Sequence, residues 1–325
     1  MTTVTSTKAA PAPDLSWIDP ALANGAAWIN GRIVPVGEAS IPILDWGFTR
    51  SDVTYDVVHV WDGSFFRLDD HLDRFAASMK GLRMSLDLDR AAIAGILEEI
   101  VARAGLSASY VAMVCTRGNP APGLPRHPAS CVNRFYAFAL PWVWVIPPDV
   151  QERGTHVIVA KTPRIPTECV DPTIKNYHWG DLTRALFEAS DAGADNAILL
   201  DHEGFVTEGP GFNVFAIVDG TVVSPDRGAL EGITRRSVLE ICTELGIPNR
   251  IGPLSRADLD RADEVFFATT AGGVMPVSRV DGRIYTNDRP GPVSVRLKDR
   301  YWAKHHEGWH VTPIDYARYA RPSGS

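Results

Sequence analysis

The alternation of apolar and polar positions divides the chain into short extended segments interleaved with amphipathic helices. Trp28 to Val36 predicts a hairpin, Trp28-Ile29-Asn30-Gly31-Arg32-Ile33-Val34, with Asn-Gly as its two-residue turn. From Tyr55 to Trp61 a period of two sets Tyr55, Val57, His59 and Trp61 against Asp56, Val58 and Val60, and Asp62-Gly63 then turns the chain into Ser64 to Leu68. The period next becomes helical. Leu72, Phe75, Ala76 and Met79 recur at helical spacing behind a capping Asp69 or Asp70, and Ile93, Ile96, Leu97, Ile100 and Val101 behind Asp87 or Asp89. Tyr110 to Thr116 and Arg134 to Leu140 predict paired strands. Between them Arg117 to Ser130 holds four prolines and two glycines, which marks a functional or a disordered loop.

The second half predicts mostly short strands, with hairpin turns at Asp219-Gly220 and Asp281-Gly282 and helices beginning near Trp179, Ile233 and Pro292. Asp181, Leu182, Ala185, Leu186 and Ala189 give the opening and apolar face of the first of these, and Val238, Ile241, Cys242 and Leu245 the face of the second. Pro141 to Asp149 carries three prolines and is the expected boundary. The expected organisation is a disordered tail over residues 1–16, a small N-terminal α/β domain over 17–143, a linker over 144–150 and a larger domain over 151–325. The class is α/β or α+β.

Composition narrows the function. A chain of 325 residues with 45% hydrophobic and 22% charged residues can bury sizeable cores without staples. A formal charge of -7 with no basic run excludes a nucleic-acid surface and favours small-molecule partners. The longest apolar run, Phe135 to Ile146, is interrupted by Pro141 and is too short to cross a bilayer. The first 16 residues lack the pattern of a signal peptide, so no membrane association and a cytoplasmic location are expected. Four cysteines at 115, 131, 169 and 242 form no metal spacing and are expected as buried free thiols in a reducing compartment. Adjacent His305 and His306 lack a third ligand at fixed spacing, so solvated helix-end histidines and no metal are expected.

The candidate chemistry centres on Lys175, between the turn at Pro172 and the helix near Trp179. Ile174, Tyr177 and Trp179 around it would desolvate the ammonium and favour the neutral, nucleophilic amine of a Schiff-base lysine. The competing reading is a surface lysine whose stem lies along apolar neighbours. Glu208 stands in Thr207-Glu208-Gly209-Pro210-Gly211-Phe212-Asn213-Val214-Phe215, where the glycines permit close backbone approach. Gly232-Ile233-Thr234 opens a helix whose free N–H groups and positive dipole end suit an anion, and Thr234 adds a hydroxyl.

Together with Arg74 in Asp69-Asp70-His71-Leu72-Asp73-Arg74, and Thr269-Thr270 before Ala271-Gly272-Gly273, these segments resemble the fold-type IV pyridoxal-phosphate aminotransferases. That family includes branched-chain aminotransferases, D-amino-acid transaminases and aminodeoxychorismate lyase. Ser51 to Trp61 is similar to the (R)-selective amine transaminases, and the likeness runs from Ile29 to Tyr301. The resemblance implies a small α/β domain and a larger pseudo-barrel domain with pyridoxal phosphate between them. It implies that Arg74, the Ile233 and Thr234 amides and Thr270 hold the phosphate, with Phe212, Asn213 and Thr269 alongside. Lys175 would form the imine and move the proton, while Glu208 would pair with the pyridine nitrogen. Tyr55, Val57, Tyr110, Trp179, Thr270 and Ala271 would line the substrate pocket, with Arg50 and Arg126 as candidate carboxylate clamps and His59 near the site without a catalytic proton. The implied activity is ping-pong transfer of the amino group of an (R)-configured primary amine to pyruvate or a similar keto acid, in a homodimer with its active site at the interface. The alternatives are a branched-chain or D-amino-acid transaminase, or a lyase.

Overall fold

Two β-sheets organise the computed structural model, which describes residues 18–319; the tail expected over residues 1–16 lies outside them. The first begins with β1 (Ala26–Ile29) and β2 (Arg32–Pro35), a hairpin whose Asn30 and Gly31 both take positive φ, 51° and 78°, as a two-residue primed turn requires. A short helix α1 (Trp46–Arg50) leads to β3 (Val53–Trp61) and β4 (Ser64–Phe66). Helices α2 (Leu68–Gly81) and α3 (Arg90–Ala104) follow, then the long pair β5 (Ser109–Pro120) and β6 (Cys131–Pro141). After α4 (Pro148–Arg153) the second sheet starts with β7 (Thr155–Val159); α5 (Gly180–Asp191), β8 (Asn196–Ile198), β9 (Glu208–Gly209), β10 (Phe212–Val218) and β11 (Thr221–Ser224) continue it. It is completed by α6 (Ile233–Glu244), β12 (Asn249–Ile251), α7 (Arg256–Arg261), β13 (Glu264–Thr269), β14 (Gly273–Val280), β15 (Arg283–Ile284) and α8 (Pro292–His306). A last strand, β16 (Val311–Pro313), returns to the first sheet and pairs with β4.

The first sheet runs β16-β4-β3-β5-β6-β1-β2 and the second β12-β11-β10-β13-β14-β7-β8, with β15 on β14 and β9 on β10. The mixed α/β class expected from periodicity is what is found. Strand β3 alternates as expected, but neither of its faces is wet. Tyr55 and Val57 pack with Val114 and Tyr136 on one side, whereas Val58 and Val60 join Phe65, Phe75 and Leu97 on the other. No described helix is long and apolar enough to cross a membrane.

Several local expectations need correction. Helix α2 starts one residue ahead of the anticipated caps, because Arg67, at φ 55°, is pinned by its N–H to the His310 carbonyl at 2.8 Å. Asp69 and Asp70 therefore fall in the first turn, where their charge suits the dipole; Asp70 accepts from Arg67 and Arg236. Asp89, not Asp87, caps α3, accepting from the Ala92 N–H at 2.8 Å. The proline-rich loop is shorter than expected, since β5 and β6 keep pairing past a register shift between Thr116 and Asn119. Gly118 permits that shift: its φ is 69°, and a Cβ there would lie 1.9 Å from the Val132 carbonyl oxygen. Only Cys115 and Cys242 of the four free thiols are buried, and Cys169 is exposed. His305 is buried too, not solvated, its Nε2 2.8 Å from that of His59 inside a cluster with Phe66 and Trp302.

Leu97 has no exposed surface and ties α3 to the inner face of the first sheet. Leu97→Ala should destabilise the protein by about 2–5 kcal/mol, read as a lower urea midpoint with unchanged slope.

Candidate active site

Lys175 lies on the seam between the sheets because its backbone is stitched to the first of them. Its carbonyl accepts from Thr54 Oγ1 at 2.7 Å and from the Tyr55 N–H at 3.2 Å, and its N–H donates to Ser78 Oγ at 3.3 Å. Just upstream, Asp171 closes the turn by accepting from Thr173 N–H and hydroxyl at 2.9 and 2.6 Å. The amine is carried over the Tyr55 ring, 4.6 Å from its centroid, and Tyr55 in turn stacks on Tyr177 at 4.2 Å. Burial and then the Arg74 cation disfavour the ammonium; Asp56 and Glu208 oppose them, and the amine settles at about 8 instead of 10.5.

Two ionic networks flank the amine, one from each sheet. On the first-sheet side Arg74, on α2, donates through Nε and Nη2 to both oxygens of Asp56 at 2.7 and 2.8 Å, and through Nη1 to the Glu231 carbonyl at 3.1 Å. Asp56 is fully buried in β3. Burial pushes its carboxyl up, but Arg74 and the hydrogen bonds from Arg74 and His71 outweigh this and hold it well below the usual carboxylate range. On the second-sheet side Glu208 is buried, with Oε1 accepting from Arg164 Nε and Nη2 at 3.1 and 2.9 Å and Oε2 from the Leu230 N–H at 2.9 Å. Arg164 also reaches Asp181 at 2.6 Å, at the start of α5.

The far end of the cavity is backbone. Gly232 precedes α6 without a side-chain cap, so the N–H groups at the helix start are available to an anion. A Cβ at Gly232 would sit 1.9 Å from Asn213 Oδ1, and that close approach is what lets Asn213 hold the Leu230 carbonyl at 2.8 Å. Thr269 Oγ1 donates to the Gly211 carbonyl at 2.7 Å, and Phe212 stacks on Phe267 with centroids 4.0 Å apart.

One cavity thus gathers Lys175, Arg74, Glu208, Phe212, Asn213, Ile233, Thr234, Thr269 and Thr270 with Tyr55 and Trp179. Val57 and Tyr110 stand behind its wall in the apolar cluster of β3, and Ala271 is buried with its carbonyl accepting from the Val145 N–H at 2.9 Å. Arg50 and Arg126 are not brought to it. They line a separate cleft with Leu44 and Leu124, where the Arg50 guanidinium lies 3.4 Å over the Trp46 ring. Sequence reasoning missed Asp56, His71, Arg164 and Asp181 as parts of the site. A carboxylate within an otherwise apolar strand was the available signal for Asp56; Arg164, between Pro163 and Ile165, carried none.

A fold with this lysine between an arginine and a glutamate, below a helix start, defines a class, and comparison with known proteins assigns it. The chain belongs to the class IV aminotransferases, whose family model, amino-transferase class IV, matches residues 54–280. A Methanocaldococcus jannaschii protein provisionally named a branched-chain-amino-acid aminotransferase is 31% identical over 277 residues, 84% of this chain and 94% of that protein. The branched-chain-amino-acid aminotransferase of Pseudomonas aeruginosa is 29% identical over 287 residues, 86% and 92% of the two chains. Among solved structures, a T.th. branched-chain amino acid aminotransferase with pyridoxamine 5'-phosphate superposes with a TM-score of 0.82 at 30% identity, covering 90% of this chain and 99% of that one.

The depressed lysine gives a titration to measure. Because the shift is downward, the neutral amine is half populated at about pH 8 instead of 10.5. Acylation of Lys175 in cofactor-free protein, followed by peptide mass spectrometry, should rise with pH and level off above about pH 9, while exposed lysines keep rising towards about pH 10.4. A Lys175 profile that tracks the exposed lysines would contradict the burial argument. Removing Arg164, whose side chain is 9% exposed, leaves Glu208 and Asp181 without their cation. Arg164→Ala should cost about 3–5 kcal/mol in urea unfolding.

Proposed function

We propose that this aminotransferase uses pyridoxal phosphate to take the amino group from an (R)-configured primary amine and pass it to pyruvate or a similar keto acid. The residues present fit that cofactor: a helix start, Thr234, Thr270 and Arg74 for a phosphate, a buried carboxylate for a pyridine N–H, and an amine with a lowered proton affinity for the aldehyde. Bound there, the cofactor supplies the electron sink that lets a C–H bond next to nitrogen ionise. Lys175 then has two tasks in this reading. It would hold the aldehyde of the bound group, and its neutral nitrogen, when free, would take up and return the proton of the substrate C–H bond. Glu208, fixed by Arg164 and the Leu230 amide, would accept from the pyridine N–H in this reading.

The observation that carries the donor class is the state of the arginines. Both that line the cavity are engaged by protein carboxylates, Arg74 by Asp56 and Arg164 by Glu208 and Asp181. Among the described residues no arginine stands in the cavity without such a partner, which favours a donor that brings no carboxylate of its own. In this reading the acceptor's carboxylate falls to Arg50 or Arg126 of the neighbouring cleft; Arg50 also borders a cleft that shares Ile174, Asn176 and His178 with the cavity. We take the working unit to be a homodimer with the active site at its interface; exposed Ile43, Leu44, Phe48 and Leu124 beside that cleft are apolar surface it would cover. Four free thiols suit a cytoplasmic location.

A second reading, transfer from a branched-chain amino acid, is favoured by the names of the relatives above. Mixing the cofactor-loaded protein with single donors separates them. Bleaching of its yellow absorbance by (R)-1-phenylethylamine, with (S)-1-phenylethylamine and L-leucine inert, is the expected result; bleaching by L-leucine alone would move the assignment to the amino-acid transaminases. Lys175→Ala should lose the yellow band and all turnover. Arg74→Ala should keep the chemistry but weaken cofactor retention by about 1.5–3 kcal/mol, measured by equilibrium titration.

A further inference from the structure

A guanidinium can grip an oxyanion along either of two edges, and in Arg74 the protein itself occupies one. Nε and Nη2 are committed to Asp56, and Nη1 gives one hydrogen to the Glu231 carbonyl. Of five N–H donors this leaves one on Nη1 and one on Nη2, the end-on edge, for whatever fills the cavity. Asp56 is itself tightly held. Its Oδ1 accepts from the Val57 N–H at 2.7 Å and from His71 Nδ1 at 2.8 Å, so the imidazole proton sits on Nδ1. His71 is buried, and burial lowers its proton affinity against the pull of Asp56, so the ring is neutral near pH 7. One guanidinium, one carboxylate and one neutral ring sum to no net charge.

We propose that Asp56, braced by His71, is a positioning residue for the cofactor phosphate and for Lys175: it turns the end-on edge of Arg74 to the cavity and cancels that arginine's charge as felt by the lysine amine. The inference rests on the pyridoxal-phosphate reading above. The charged groups that act on the amine are Arg74, Asp56 and Glu208, with the neutral His71 behind Asp56. Asp56 acts on the ligand only through Arg74. Asp56→Asn preserves volume but sets an amide NH₂ against an N–H of Arg74, so the fork must turn and its cation loses its partner.

The test measures equilibrium binding of pyridoxal phosphate by absorbance titration, and the pH midpoint of Lys175 acylation in the cofactor-free protein, on full-length chains. Asp56→Asn should weaken binding about tenfold or more and move the acylation midpoint to lower pH. In an Arg74→Gln background, adding Asp56→Asn should change binding by less than about twofold, because the route of its action is gone. Should Asp56→Asn fail to fold, Asp56→Glu carries the test: it keeps the charge, and so the midpoint, but misplaces the fork and weakens binding. Equal loss of binding from Asp56→Asn with and without Arg74, or an unmoved lysine midpoint, would reduce Asp56 to a structural group and overturn the proposal, as would undiminished binding in Asp56→Glu. Wild-type protein that takes up no pyridoxal phosphate would sink the cofactor reading and this inference with it; wild type that binds, beside an Asp56→Asn variant that binds as tightly, would overturn the inference alone.

Discussion

Three cations, Lys175, Arg74 and Arg164, line one cavity, and much of the surrounding structure answers that constraint. Lys175 and Arg74 would repel each other there, and burial raises the cost of either charge. The protein resolves the conflict asymmetrically. Arg74, whose proton cannot be lost at ordinary pH, is given a buried carboxylate, whereas Lys175 is left with an aromatic face and surrenders part of its proton affinity. An amine that is partly neutral near physiological pH is what the proposed carbonyl chemistry requires, so the electrostatic compromise and that reactivity would have one origin.

The carboxylates that balance the site come from opposite sheets. Asp56 belongs to β3 of the first, Glu208 to β9 of the second, and the Lys175 backbone is hydrogen-bonded to β3 while the far end of the cavity is the uncapped start of α6. Each sheet alone has its own apolar core, but neither alone has the site. The packing energy that holds the cores therefore also fixes the distances between charges, and side chains locked by buried pairs hold their places better than ones on free loops.

How much of this was legible follows from what each signal rests on. Period and turn chemistry are local, so the Asn30-Gly31 hairpin, the faces of α3 and α6 and the pairing of Tyr110–Thr116 with Arg134–Leu140 could be read directly, whereas the continuation of that pair past Gly118 could not. The caps of α2 could not, because its start is set by a bond to His310 more than two hundred residues on. Lys175, Arg74 and Glu208 were found because their flanking residues resemble a known pattern. Arg164 and His71 were not, since their partners lie across the fold and nothing nearby in the chain marks them. The burial of His305 escaped notice for the same reason: α8 delivers it to His59, and a helix-end position suggests solvent. Arg50 and Arg126 show the converse, two arginines that a motif groups with the cavity and that this chain places in a neighbouring cleft.

The return of β16 to the edge of the first sheet bears on how the molecule is made. Beyond it, Tyr316 donates to the Leu106 carbonyl across 210 residues of intervening chain, and Ile314 packs into the first core. On a ribosome, the first sheet emerges with β4 as a bare edge and must stay so while the whole second sheet is synthesised. A nascent chain in that state leaves Phe66, whose partners Phe215 and Tyr301 come from the second half, beside unpaired backbone, so the stretch of translation between β4 and β16 is an aggregation-prone interval. A pause in synthesis anywhere in that interval prolongs the time for which the β4 edge is open to another chain.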